Sequence, residues 1–416
     1  MLITALVHGG AGCSESEPRC GTLEGCDIRA ADCQADALRY AVCLRGRTES
    51  TSLQVPVVVQ TRADYVAERV AEAQAADTPS QRAFRRGLSL FQLSPVMSTA
   101  ETEAQARARN VGATFRGDPA RIVVIDDGYA LRSGYVAVLV HEMVHALQQA
   151  AGELGGDVAP RYDAQLARSA VIEGEATIAQ DETLAQGFGY DFDHLSYGKA
   201  LSNYRAQNSP RTAWFHSTPF DNLYSQFSYA WGASYLWPLR RDQGAPAIAS
   251  AHAAFPVSTY AVMGLDPSQP GQRPNDLGEQ AVPVLPDLTL AATMHMGRFA
   301  YEVLRTVSKQ TSAFPDGAHF VADTLSVFSS AEGTVLASWR FRFDDPSQVL
   351  LTQQWRQGAS DLLPVGVDGA DLWLIASEDS GLLTSLPSPL TFQAAPAADF
   401  GLDVPDKPAQ IDCPRH

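Results

Sequence analysis

Residues 138–147 read Val-Leu-Val-His-Glu-Met-Val-His-Ala-Leu, and three of them could do chemistry. His141 and His145 stand four positions apart. On an α-helix such positions lie one above the other, so two imidazoles can reach a single ion. Glu142 projects beside that ion rather than onto it, where its carboxylate can take a proton from an activated water. No other charged residue occupies 138–147, as expected of a buried helix at the floor of a cleft. The competing explanation is a pair of ordinary core histidines. It leaves a buried Glu142 in an apolar stretch, which is costly and serves nothing.

The segment resembles the active-site helix of the zincin metallopeptidases, which implies Zn2+ as the ion and a peptide or protein as substrate. The metzincin branch wants Gly at 148 and His at 151; this chain has Gln148 and Ala151, and no further histidine until His194. A carboxylate third ligand is then implied, as in the gluzincins, which carry Glu-x-x-Ala on a second helix. Residues 169–177 read Ser-Ala-Val-Ile-Glu-Gly-Glu-Ala-Thr, where Glu173 with Ala176 fits that register and Glu175 with Ile178 does not. The resemblance therefore implies a metal held by His141, His145 and Glu173. At ~100° per residue Glu173 and Glu175 point about 200° apart, so both cannot face one ion. Glu175 as the ligand, or two solvated glutamates, stay open as alternatives. Gluzincins also set a Tyr or His against the developing oxyanion. Tyr229 is the first choice here, with Tyr235 and His216 behind it, and a plain aromatic core role competes. A wider likeness, over residues 50–265, is to bacterial gluzincin-like proteins with His-Glu-x-x-His-Ala-Leu-Gln followed by Glu-Gly-Glu-Ala. His141–Gln148, Glu173–Ala176 and Pro256–Thr259 carry it.

Helical periodicity over Tyr135–Ala150, Ala164–Leu184 and Phe227–Arg241 supplies elements to position these residues. Ahead of them, Ala113–Arg116 and Arg121–Ile125 flank a Gly-Asp-Pro-Ala turn and read as a hairpin. In zincins the strand before the active-site helix is the edge strand that pairs with extended substrate, which implies that role for Arg121–Asp126. Upstream come a helix over Asp27–Arg45, a strand over Val55–Gln60, a helix over Arg62–Ala76 with Thr61 as N-cap, and a helix over Gln81–Phe91. A polar, Pro-rich stretch at Asp266–Pro274 reads as a linker. Beyond it a helix is expected over Leu288–Ser308, strands over Ala322–Phe328, Thr334–Phe343 and Asp371–Ala376, and a helix over Asp345–Gln357. The fold class expected is α+β: a zincin-like metalloprotease domain over 51–265, mainly helical with a small sheet, then a linker at 266–287. A smaller α+β domain over 288–400 follows. Residues 1–50 form a signal-like, cysteine-rich start and 401–416 a tail.

At roughly 150 residues per domain, 416 residues make two to three folded units. Apolar residues at 45% supply a sizeable core. Acidic residues outnumber basic ones by 47 to 31, for a net charge of −16. That balance argues against a nucleic-acid binder or a polybasic membrane-surface protein, which need a basic face. Cys13, Cys20, Cys26, Cys33 and Cys43 crowd the start, and Cys413 lies near the end. They read as disulfide staples made in an oxidising compartment, because a zinc knuckle would want Cys-x2-Cys pairs with histidines. The apolar run Leu2–Val7, ending at Gly-Ala-Gly-Cys13, resembles a bacterial lipoprotein signal and implies a lipid anchor at Cys13, although no Lys or Arg precedes it. Without lipid, Cys13 is expected to pair with Cys413. Two function classes follow: a zinc peptidase working outside the cytoplasm, or a non-catalytic cell-surface binding protein that keeps the metal-binding scaffold. The intact Glu142 favours the first, since a scaffold has no use for a base.

Overall fold

The computed structural model describes residues 20–46 (without 22, 24 and 25), 53–93 (without 92), 99–126 (without 110), 133–154, 162–187, 194–207 and 219–264. It further describes 281–307 (without 284 and 286), 319–347 (without 346), 363–385 (without 369 and 370), 392–394 and 411–414. The Pro-rich linker, the helix expected over Asp345–Gln357 beyond its first residues, Cys13 and His216 lie outside these residues. The architecture is α+β.

Helix α1 (Ala31–Leu44) packs its buried Cys33, Ala37, Leu38 and Ala41 into one apolar cluster with the helix that carries the two histidines. Cys20 lies at disulfide distance from Cys43, and Cys26 from Cys33, so the two pairs nest around this helix. Strand β1 (Val57–Thr61) leads into α2 (Arg62–Ala76), where the Thr61 side chain accepts from the Asp64 amide as an N-cap. Helix α3 (Pro79–Leu90) starts two residues before the expected Gln81, because Thr78 and Gln81 cap each other reciprocally and Pro79 suits a first turn. Helix α4 (Ala100–Ala108) precedes the hairpin of β2 (Val111–Gly117) and β3 (Ala120–Asp126), which pair in the expected antiparallel register.

The edge role for Arg121–Asp126 is corrected by the sheet order. Strand β3 lies between β1, to which it is parallel, and β2. The outer strands are β1 and, beyond β2 and β3, the strand Ile411–Pro414. The apolar run of β3 gives the reason: Ile122, Val123, Val124 and Ile125 are all buried, as in a strand covered on both faces. On β1, Val58 and Val59 stay exposed.

Helices α5 (Ser133–Ala150) and α6 (Tyr162–Gly187) follow, then α7 (His194–Gln207) and α8 (Pro219–Gln243). Short helices α9 (Ala245–Ala253) and α10 (Thr259–Gly264) end this half. Backbones of α6 and α8 touch at a pair of glycines. A Cβ on Gly174 would collide with the Gly232 carbonyl carbon, and one on Gly232 with the Ala170 carbonyl oxygen. Only glycine allows that approach.

The remaining strands are β4 (Ala281–Pro283), β5 (Thr289–Met294), β6 (Phe320–Ser329), β7 (Val335–Phe343), β8 (Leu363–Asp368), β9 (Asp371–Ser377), β10 (Phe392–Ala394) and β11 (Ile411–Pro414). Helices α11 (Gly297–Val307) and α12 (Ser380–Ser385) lie among them. Strands β4 and β10 pair, and five others form a sheet in the order β5-β6-β7-β9-β8. The helix expected over Leu288–Ser308 is corrected. Its first part is β5, and only the second is helix. The Asp323 carboxylate accepts from the amides of Met296 and Gly297 and fixes the start of α11 there. Gly297, at φ 83°, makes the turn between the two.

One apolar core crosses the whole chain order. Phe84 and Phe91 near α3, Leu166 and Val171 of α6, Phe227 and Leu236 of α8, Phe299 of α11 and Trp339 of β7 belong to it. Residues on both sides of 266–287 therefore share their burial.

Candidate metal centre

Helix α5 is buried from Val136 to Leu147 except at Val138, and Gln148 is buried with it. It lies against β2 and β3 on one side, with α1 and α6 on others. This is why a helix with so few charges forms here: nearly every face meets protein. His141, Glu142 and His145 have no exposed surface. The imidazoles follow one another down the helix, edge to face, with ring centroids 4.7 Å apart and planes at 74°. From α6, the Glu173 carboxylate reaches both: Oε2 lies 3.1 Å from His141 Nε2 and 3.5 Å from His145 Nε2. The structure thus brings His141, His145 and Glu173 together as the sequence pattern anticipates.

These groups fit zinc. Ligand atoms at ~2.0–2.1 Å from a tetrahedral ion stand roughly 3.3 Å apart, close to the separations found. Two imidazole nitrogens and one carboxylate oxygen are a zinc donor set that leaves a fourth position for water. Burial pushes His141 down to about 4, which leaves its ring neutral. Burial acts on His145 in the same sense, but the Glu173 carboxylate outweighs it and the net shift is upward. Burial would raise Glu173, yet the two imidazoles hold it below the ordinary carboxylate range. An ionised carboxylate that faces two imidazole nitrogens suits a cation at their meeting point.

Glu175 faces elsewhere, in line with the 200° argument. Its Oε2 accepts from Gln148 Nε2 at 2.8 Å and from His252 Nε2 at 2.8 Å. Arg45 donates to both of its oxygens, from Nε at 2.8 Å and from a terminal nitrogen at 3.2 Å. Burial would raise this carboxyl too; Arg45 and His252 hold it well below its usual range. Glu153 completes the cluster, 2.5 Å from Arg45. Both glutamates are buried, so neither is a solvated surface residue.

Tyr229 stands on α8, one turn before Gly232, with its ring 6.1 Å from the His141 ring and tilted by 32°. The glycine contact of α8 with α6 brings it there. Tyr235 is buried in the large apolar core instead, and His216 lies outside the described residues. Reasoning from sequence missed Arg45, Gln148, Glu153 and His252. Two signals were available: Gln148 is a polar residue one turn after His145 in an apolar helix, and Glu175 needed a counter-charge if buried. The partners themselves come from 77 to 130 positions away and leave no local trace. No protein family, curated protein or solved structure matches the chain.

Proposed function

We propose that this chain is a gluzincin-like zinc peptidase with a zincin-like catalytic domain, working outside the cytoplasm on peptide or protein substrates. The observation that carries the reading is the buried convergence of His141, His145 and Glu173 beside Glu142. His141, His145 and Glu173 would hold the ion, which supplies Lewis acidity to a water and to the scissile carbonyl. Glu142 is the general base: it takes the proton of the attacking water and delivers it to the leaving amine nitrogen. In a site this dry its charge acts at full strength, since little solvent screens it. Tyr229 donates its hydroxyl toward the carbonyl oxygen as charge grows there. The nested cysteine pairs around α1 support a compartment where disulfides persist. Among the described residues no helix is long and apolar enough to cross a membrane.

The test pairs metal content with hydrolysis. Wild type is expected to carry about one zinc per chain and to cleave peptides. Glu142→Gln should keep the zinc and lose at least 100-fold in kcat, on the order that general bases contribute. Zinc-loaded wild type that cleaves no member of a broad peptide library would reject catalysis and leave a surface binding protein. Absence of zinc uptake would reject the metal centre.

A further inference from the structure

We propose that Gln148 is a positioning residue of this metal centre, and that Arg45 and Glu175 hold it in place from outside. The proposal rests on the zinc reading above. Gln148 lies on α5, one turn beyond His145, and is fully buried. Its amide nitrogen donates to the Ile172 carbonyl at 3.0 Å and to Glu175 at 2.8 Å. Carbonyl and carboxylate oxygens only accept, so these two partners identify the nitrogen end of the amide. Its oxygen end is then the atom 2.7 Å from His145 Nδ1. An amide oxygen accepts as well, so Nδ1 of His145 must carry hydrogen. That leaves Nε2, the ring atom facing Glu173, as the nitrogen that binds a metal.

Glu175 is what makes Gln148 rigid. A carboxylate only accepts, and here four donor contacts hold it: Gln148, His252 and one Arg45 nitrogen on Oε2, and Arg45 Nε on Oε1. Glu153, Glu175 and His252 also form a group of metal-ligand type. The Arg45 guanidinium already bridges the two carboxylates, so the cluster is an ion-paired clamp rather than a second ion site. Arg45 is the residue that ends α1, the helix enclosed by the two cysteine pairs. The cysteine-rich segment thereby reaches His145 Nδ1 through three consecutive hydrogen bonds. The same partners could serve folding alone, so the test must read the metal and the ring.

Gln148→Met keeps side-chain length and removes the amide. Zinc Kd is measured by chelator competition, and the His145 ring is followed by NMR in zinc-loaded protein labelled at its histidines. The expected result is a Kd about 10–100-fold weaker, with loss of the slowly exchanging Nδ1 proton of His145. A Kd within twofold of wild type, or an unchanged Nδ1 proton, would overturn the proposal even if Gln148→Met melts at a lower temperature. If that variant does not fold, Gln148→Glu with Glu175→Gln preserves charge and an acceptor for Nδ1. It should bind zinc within about threefold of wild type, whereas Gln148→Glu alone should bind far more weakly. Equal affinities for the single and double variants would also overturn the proposal. Wild type that takes up no zinc rejects the metal reading itself, and does so before any variant is made.

Discussion

Glu173 and Glu175 are separated by one glycine, yet their surroundings give them opposite tasks. Among the described residues the Glu173 carboxylate faces the two imidazoles, so its charge is directed at the point where a cation would sit. Glu175 is engaged by Arg45, His252 and Gln148. Truncating each should therefore fail in a different measurement. Glu173→Ala is expected to weaken zinc binding by at least three orders of magnitude, roughly one strong ligand, while urea unfolding of the metal-free protein changes little. Glu175→Ala breaks a buried ion pair, leaving Arg45 only Glu153 of its two carboxylate partners, and should cost about 3–5 kcal/mol in urea unfolding. Its effect on zinc should not exceed that of Gln148→Met. Equal zinc losses from the two alanine variants, without a stability difference, would contradict this division.

At the scale of elements, the approach of α6 and α8 sets where Tyr229 sits. Gly232→Ala puts a methyl against the Ala170 carbonyl and must push the helices apart. An overpacked contact costs about 1–3 kcal/mol or more. If Tyr229 serves the oxyanion, the variant should also lose kcat with little change in zinc affinity. A variant with unaltered melting temperature and kcat would show that the contact is loose. A second helical prediction concerns Asp181, on α6, which accepts from the Tyr197 hydroxyl at 2.8 Å. Burial raises this carboxyl from 3.8 to about 6. Between these values the folded state keeps a proton that the unfolded chain has released, so stability falls as pH rises through that window. Asp181→Asn should remove this slope and gain roughly 1–3 kcal/mol at pH 7. A wild-type melting profile that rises over pH 4–6 by the same amount in both proteins would refute the assignment.

Elements were legible wherever a local pattern decides them. The i, i+4 histidines, the Glu-x-x-Ala register, the Thr61 cap and the polar–aromatic alternation of Ser338–Phe343 in β7 are such cases. Leu288–Ser308 misled because a short apolar stretch has no period of its own; Asp323, on a distant strand, decides where α11 begins. The same limit hid β1 as the third partner of the hairpin. Strand order is a long-range property, and β3 became central through a parallel neighbour over 60 residues earlier.

For the whole molecule, the shared core makes a simple claim about cooperativity. Phe91 packs edge-on against Trp339 at 5.3 Å, and Arg86 pairs with Glu378. Urea unfolding should therefore show one transition by fluorescence and by circular dichroism. Two separated transitions, with a truncated chain ending near residue 265 still folded, would show independent halves instead. Alkylation before and after reduction tests the cysteine segment at the same scale. Cys20, Cys26, Cys33 and Cys43 should react only after reduction, and reduction should lower stability by about 2–4 kcal/mol per bridge.

That ring contact also has a kinetic side. Phe91 and Trp339 are about 250 residues apart, so loop closure must precede the packing that rewards it, and topologies of this kind fold slowly. Until the sheet of β5–β9 docks, the apolar faces of α3, α6 and α8 lack the part of their cover that it supplies. The nascent chain is thus open to aggregation for longer than a locally connected helical bundle would be. Nested cysteine pairs at α1 close within 23 residues and can form early. They give the incomplete chain one fixed element beside the helix of the two histidines while the distant half is still on its way.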